Sequence, residues 1–139
     1  MAPMLMLARE LKKRSLKFKV LLGYQTAEHI IEKNRFSRMG EVMITTDDGS
    51  YGFKGLIVDH PELHSGNYDR IYCCGPEAMM RTVAEIARSR DKFCEVSLEN
   101  TMACGYGVCL CCVVDTVRGN VCSCTEGPVF NINELKWQT

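Results

Sequence analysis

Cysteine is the residue whose number and spacing give this sequence its clearest chemistry. The 139-residue chain contains nine cysteines, and six of them lie between Cys104 and Cys124. An odd count with so local an enrichment argues against the disulfide framework that small secreted domains use. Clustered thiols in a reducing compartment are more often metal ligands or redox groups. The last third of the chain is therefore predicted to hold a metal centre.

The spacing of these cysteines indicates which metal centre it is. The run from Cys104 to Cys112 contains C-x4-C-x2-C, and two further cysteines follow at Cys122 and Cys124. This spacing is typical of the thiolates that hold a [2Fe–2S] cluster. The fourth thiolate comes from Cys124 or from Cys122, and the spacing alone leaves both open. The spacing therefore predicts Cys104, Cys109 and Cys112 as metal ligands, with Cys122 or Cys124 as the fourth.

Two glycines lie inside the same run. A short loop can turn its amide N–H groups toward the sulfurs only where small residues permit unusual backbone dihedrals, and Gly105 and Gly107 meet that need. Cys111, beside the ligand Cys112, is expected to be a small buried apolar side chain.

Zinc is the alternative metal. Structural zinc sites usually pair two C-x2-C knuckles. Cys109 and Cys112 form one such pair, whereas Cys122 and Cys124 are spaced C-x-C and no second knuckle is present. The spacing therefore favours an iron–sulfur cluster over zinc, and over thiols that bind no metal.

The elements that position these cysteines follow an α/β pattern. Before residue 92, strands predicted from buried apolar runs alternate with helices predicted from apolar periodicity and proline. The predicted strands are 18–23, 41–46 and 69–74, and the predicted helices are 3–14, 26–35, 54–59 and 76–88. Such alternation is typical of a parallel sheet. A strand at 95–98 and a hairpin of 113–116 with 120–122 then surround the cysteines, so we predict domains at 1–92 and 93–139.

Composition limits the partners. Lys plus Arg and Asp plus Glu both number 17, which gives no reason to expect binding to nucleic acid or to an anionic membrane. No apolar run approaches the ~20 residues that span a bilayer. The apolar start of the chain runs directly into basic residues, the reverse of a signal peptide, so a cytoplasmic location is expected. No Ser/His/Asp or paired-carboxylate arrangement indicates a catalytic group of the chain's own.

Several motifs resemble the electron transfer subunit of dihydroorotate dehydrogenase B. The matching segments are M-A-C-G-Y-G-V-C at 102–109, C-T-E-G-P-V-F at 124–130, T-D-D-G-S-Y-G at 46–52 and C-G-P-E-A-M at 74–79. In that family two residues separate the fourth cluster ligand from the Gly-Pro-Val-Phe motif, and Cys124 occupies that position here, so the resemblance implies the ligands Cys104, Cys109, Cys112 and Cys124.

The resemblance implies a ferredoxin reductase-like protein. The family has an FAD-binding barrel, an NAD-binding α/β domain and a [2Fe–2S] domain. Electrons from dihydroorotate, collected by FMN on a catalytic partner subunit, cross the cluster to FAD and then to NAD⁺ in pyrimidine biosynthesis. The implied assembly is a heterotetramer, and this chain is not expected to be active alone. Two alternatives are a [2Fe–2S] reductase component of another oxidoreductase and a zinc-stabilised interaction module.

The chain departs from the family at its start. The FAD barrel, the first strand of the NAD domain and its glycine-rich loop are not found, so FAD is expected only in the full-length family protein. The fold expected is a partial NAD-binding domain with the central strand missing. Two sheet edges would then be unpaired, and the isolated chain is expected to be unstable or to form a segment-swapped homodimer.

The resemblance also implies nucleotide contacts. Asp47 and Asp48 would accept hydrogen bonds from ribose hydroxyls and repel a 2′-phosphate, which favours NAD over NADP; simple turn chemistry is the alternative. The segment that would approach the nicotinamide consists of Cys74, Gly75, Pro76 and Glu77. Without the glycine-rich loop the pyrophosphate lacks its main backbone donors, so weak NAD binding is expected.

Overall fold

A computed structural model describes residues 1–137 of the chain, which form two compact units. The first unit is Met1–Asn67 and the second begins at Tyr68. The helices are Ala2–Lys13 (α1), Lys33–Ser37 (α2), Pro61–Ser65 (α3), Glu77–Ser89 (α4) and Ser123–Glu126 (α5). The strands are Lys19–Tyr24 (β1), Glu41–Thr46 (β2), Phe53–Lys54 (β3), Arg70–Cys74 (β4), Phe93–Ser97 (β5), Val113–Thr116 (β6), Gly119–Cys122 (β7) and Val129–Asn131 (β8).

The first unit is built on a parallel sheet in the order β1-β2-β3. β1 and β2 pair in register from Lys19 opposite Glu41 to Tyr24 opposite Thr46. Their apolar side chains join a core with α1 and α2, because each element has one apolar side to bury. The buried members of this core are Leu5, Ala8, Leu22, Phe36 and Ile44. The strands predicted at 18–23 and 41–46, and the helix at 3–14, are confirmed.

The helix predicted at 26–35 is wrong. The structure has a 3-10 helix at Ala27–His29 and then α2, with extended backbone at Ile30 between them. Glu32 adopts a left-handed conformation with φ of 62°, which a continuous helix does not allow. The Tyr24 hydroxyl donates a hydrogen bond of 2.6 Å to the carbonyl of Ile31. That carbonyl therefore has a partner in β1 where a helix would have used it internally.

The second unit has a sheet in the order β4-β5-β8, in which β4 and β5 are parallel and β8 is antiparallel to β5. α4 packs on it through residues spaced three and four apart, as an amphipathic helix should. These buried residues are Met80, Val83, Ala84 and Ala87. The strand at 69–74 and the helix at 76–88 are confirmed, with Pro76 as the N-cap residue rather than the first helical one.

The remainder of the second unit positions the cysteines. Residues 98–112 contain no helix or strand. The predicted hairpin is confirmed as β6 and β7, which pair antiparallel with Val113 opposite Cys122. The sequence did not predict α5 or β8, which follow the hairpin. The Leu98 amide donates to the Pro128 carbonyl at 2.9 Å, so the start of the loop is fastened to the segment before β8.

The mixed α/β fold class with parallel strands is confirmed. The compact units divide at Asn67 and Tyr68, since β4 pairs with β5 and both belong to the second unit. The domain boundary proposed at residues 92 and 93 separates the nucleotide-type segment from the cysteine-rich one and stays a prediction. Among residues 1–137, none of the helices combines the length and apolar character that crossing a bilayer requires.

Candidate metal centre

The structure brings the six C-terminal cysteines into one region of the second unit. The loop at 98–112 carries four of them, and the β6–β7 hairpin returns the chain so that Cys122 and Cys124 reach the same place. The Ser123 amide donates to the Cys112 carbonyl at 2.9 Å and fixes the end of the loop against the start of α5. Local pairing across the hairpin therefore joins cysteines that are distant in sequence.

A cradle of backbone amides surrounds the Cys104 sulfur. The Cys109 amide donates to it at 3.4 Å, and the amides of Tyr106 and Val108 also point at it. Gly105 and Gly107 have φ of 75° and 86°, a region that glycine adopts without strain, and these dihedrals turn the amides inward. The amide donors, that of Cys109 above all, lower the pKa of Cys104 to about 6. Cys104 is therefore set up as a thiolate at neutral pH, the form that binds metal.

Cys112 is the centre of a second group of sulfurs. Its side chain is 2% exposed, and the Cys124 amide donates to its sulfur, which lowers the pKa of Cys112. The thiols of Cys124 and Cys122 both interact with the same sulfur. Contact with Cys112 raises the pKa of the Cys124 thiol, since one proton is shared between neighbouring sulfurs.

The sulfurs are thus arranged in pairs. Cys109 interacts with Cys104, and Cys124 interacts with Cys112. Two thiolates for each of two irons is the ligand distribution that a [2Fe–2S] cluster needs, and inward amides supply hydrogen bonds to its sulfurs. The residues present therefore fit the group. Among residues 1–137, no three His, Cys, Asp or Glu side chains close on a single point as a one-ion site does.

The exposure of Cys111 and the backbone conformation of Leu110 are two features of the loop that the sequence did not predict. Cys111 is exposed, so the expectation of a small buried side chain is wrong. Leu110, between Cys109 and Cys111, has a φ of 60°, a left-handed conformation that is unusual for a leucine. The side chain of Leu110 is itself exposed. The apolar character of Leu110 in the sequence did not predict its left-handed backbone or its exposed side chain.

The predicted ribose contacts lie in the first unit, after β2. Asp48 Oδ1 accepts hydrogen bonds from the Ser50 hydroxyl at 2.6 Å and the Ser50 amide at 2.9 Å. The Ser50 hydroxyl, followed by its amide, lowers the pKa of Asp48. One carboxylate oxygen of Asp48 thus closes the turn, as the turn-chemistry alternative proposed. Asp47 is exposed at the carboxyl end of β2, and its role stays a prediction.

The predicted nicotinamide contacts lie at the carboxyl end of β4, in the second unit. The Cys74 thiol donates to Glu99 Oε1 at 3.6 Å. A cavity of about 320 Å³ opens beside this pair. Its lining includes Gly75, Pro76, Glu77, Leu98, Glu99 and Asn100. Glu99 and Asn100 were not predicted, because they reach this edge only through the pairing of β5 with β4.

Comparison with known proteins gives a consistent family relationship. Residues 99–136 match the iron–sulfur cluster binding domain of dihydroorotate dehydrogenase B. The chain is 38% identical to a probable dihydroorotate dehydrogenase B (NAD(+)) electron transfer subunit of Methanocaldococcus jannaschii, covering 98% of the chain and 53% of the relative. It is 39% identical to the corresponding protein of Archaeoglobus fulgidus, with 98% and 57% covered, and 38% identical to that of Bacillus caldolyticus, with 96% and 52% covered.

A solved structure agrees with the sequence comparison. A chain from the structure of an NADH-dependent reduced ferredoxin–NADP oxidoreductase, described in work on flavin-based electron bifurcation, superposes with a TM-score of 0.82 and 29% identity. The match covers 94% of this chain and 48% of the solved one. The chain spans about half the length of the curated relatives it matches.

Proposed function

Since this chain belongs to the family of dihydroorotate dehydrogenase B electron transfer subunits, of which it spans about half, we propose that it transfers electrons through a [2Fe–2S] cluster. The proposed ligands are Cys104, Cys109, Cys112 and Cys124. When bound, such a cluster accepts and passes on single electrons. The amide cradle around Cys104 is the observation that carries the proposal, because it holds a thiolate ready for metal in a loop with no regular structure.

The proposed electron path connects dihydroorotate to NAD⁺. An FMN-containing catalytic subunit would oxidise dihydroorotate, and the electrons would pass through this chain's cluster and through FAD to NAD⁺ in pyrimidine biosynthesis. The chain contributes the cluster ligands and not the orotate chemistry, and it is not proposed to be active alone. A cytoplasmic location accords with this role.

The exposed side chains of the cysteine loop support a protein partner. Met102, Tyr106, Val108 and Leu110 are between 48% and 70% exposed, in a loop that holds the proposed ligands. Exposed apolar groups gathered in one loop are typical of a surface that another protein covers. The proposed partner is the FMN-containing subunit, in a heterotetramer.

NAD contacts are proposed at two strand ends. At the end of β4, the cavity offers the polar side chains of Glu77, Glu99 and Asn100 to a polar ring, and the Cys74 thiol donates a hydrogen bond to Glu99. At the end of β2, Asp47 is proposed to contact the ribose, and Asp48 to hold the turn that positions it. Ligands of open α/β sheets bind at this end of the strands.

Unpaired strand edges support the proposed segment-swapped homodimer. Among residues 1–137, β1 pairs with β2 alone and β4 with β5 alone, so each of these two strands leaves one edge of its sheet open. Open edges carry unpaired amide and carbonyl groups that can accept another strand. Light scattering on the chain alone is expected to give the mass of a dimer. A stable monomer would contradict the proposal.

Electron delivery from dihydroorotate tests the function directly. The loaded chain is mixed anaerobically with the FMN-containing subunit of the same organism and dihydroorotate, and the visible absorbance of the cluster is followed. We expect bleaching that requires both the subunit and dihydroorotate. A cluster that dithionite reduces but dihydroorotate does not would instead indicate a reductase component of another oxidoreductase, and a colourless zinc protein would indicate an interaction module.

A further inference from the structure

Two cysteines contact the same ligand sulfur. Cys122 ends β7 and Cys124 lies in α5, and Ser123 separates them at the junction of strand and helix. Both thiols interact with the buried sulfur of Cys112. The site therefore contains one more sulfur at this position than a four-thiolate cluster uses.

Cys122 is also close to the loop that surrounds the cluster site. Its thiol donates to the Gly107 carbonyl at 3.9 Å, and the Cys124 thiol receives a hydrogen bond from the Gly107 amide. The two cysteines thus contact the carbonyl and the amide of the same loop residue. Pairing of Val113 with Cys122 in the hairpin holds this end of β7 beside the end of the loop.

We propose that Cys122 is a reserve ligand that takes over the iron of Cys124 when Cys124 is lost. The inference rests on the proposed function, since it presumes that the chain binds a [2Fe–2S] cluster. In the exchange, the bond from iron to the Cys124 sulfur breaks and a bond to the Cys122 sulfur forms. The proton of the Cys122 thiol passes to the departing Cys124 sulfur, or to solvent where Cys124 is absent. No electron is gained or lost.

Cys111 supplies a matched control. It is also a cysteine outside the four proposed ligands, but it is exposed and its thiol forms its side-chain hydrogen bond with Cys109, whereas that of Cys122 forms one with Cys112. If any nearby thiol could replace Cys124, Cys111 would serve as well as Cys122. The contacts favour Cys122 alone.

The test compares alanine variants of the whole chain, because a serine oxygen could itself bind iron. The two single variants are Cys124→Ala and Cys122→Ala. The two double variants combine Cys124→Ala with Cys122→Ala or with Cys111→Ala. Each is reconstituted anaerobically and assayed for iron, sulfide, visible circular dichroism and, after reduction, EPR. Alanine is the best helix former, so α5 tolerates it at residue 124.

We expect Cys122→Ala to match the wild-type chain in its content of iron and sulfide and in its spectra after reconstitution. Cys124→Ala should keep at least about half of its iron, with a shifted EPR signal that reports the new ligand. Adding Cys122→Ala should empty the site, and adding Cys111→Ala should change nothing further. The proposal is overturned if Cys124→Ala alone empties the site, if Cys122→Ala alone does so, or if Cys111→Ala is the change that removes the remaining iron.

Iron release from the otherwise unaltered chain gives a second readout. With excess chelator, Cys122→Ala should lose iron several times faster than the wild-type chain, because no second thiol recaptures the iron when Cys124 dissociates. Equal rates would contradict a reserve ligand. A wild-type chain that binds no iron would instead refute the proposed function, so the two failures are distinguishable.

Discussion

Cys104→Ala is expected to abolish cluster binding. The Cys104 sulfur accepts hydrogen bonds from the backbone amides of Cys109, Tyr106 and Val108, and these donors lower the pKa of Cys104 to about 6. No neighbouring cysteine lies on its N-terminal side to replace it. Loss of an outer-shell partner already costs about 10–100-fold in metal affinity, and loss of a ligand should exceed that. Iron, sulfide and visible absorbance of the reconstituted variant are the measurements.

Cys111→Ala is the control for this variant. Cys111 lies in the same loop and is exposed, so its replacement should leave iron and sulfide at the wild-type level. Retention of a full cluster by Cys104→Ala would show that the amide cradle does not hold a ligand. Equal loss in both variants would show that the loop responds to any cysteine change.

Gly52→Ala is expected to destabilise the first unit strongly. A Cβ at residue 52 would lie 2.2 Å from the carbonyl oxygen of Ile44, and φ is 69°. That carbonyl has little freedom to move aside, because Ile44 pairs with β1 and the two residues that follow it in β2 pair with β3. The turn is also closed by the Thr46 hydroxyl, which donates to the Tyr51 carbonyl at 2.7 Å. The clash therefore displaces the turn or the strand.

Gly49→Ala separates the clash from the backbone conformation. Gly49 has φ of 77° in the same turn, but a Cβ there meets only the flexible side chain of Lys54. We expect Gly49→Ala to lower the free energy of unfolding by about 1–2 kcal/mol, the cost of the left-handed backbone alone. Gly52→Ala should lower it by about 1–3 kcal/mol more, because of overpacking. Urea unfolding followed by circular dichroism measures both. Equal free energies of unfolding would refute the steric account.

The sequence predicts best where local signals agree. β2 and β4 are buried apolar runs ended by turn residues, and α4 follows Pro76 with an apolar stripe, so each was predictable without tertiary information. The spacing from Cys104 to Cys112 predicted that the thiols would converge, because a chain of nine residues leaves little freedom once its glycines turn the amides inward.

The missed features depend on contacts between distant residues. β8 has three residues and exists because it pairs with β5, which no local pattern records. The helix predicted at 26–35 is interrupted because Tyr24 binds the carbonyl of Ile31. In the candidate site, the contact of Cys122 with Cys112 arises from the register of the hairpin, and Glu99 reaches Cys74 through strand pairing. Sequence spacing alone could not predict either of these two side-chain contacts.

The central claim is that the thiols around Cys104 and Cys112 bind a [2Fe–2S] cluster. The direct measurement is metal and sulfide analysis of the anaerobically purified chain, with EPR before and after reduction by dithionite. We predict about two irons and about two inorganic sulfides per chain, with an EPR signal that is absent in the oxidised protein and present after one-electron reduction. A colourless chain that contains zinc, or one without inorganic sulfide after reconstitution, would contradict the account.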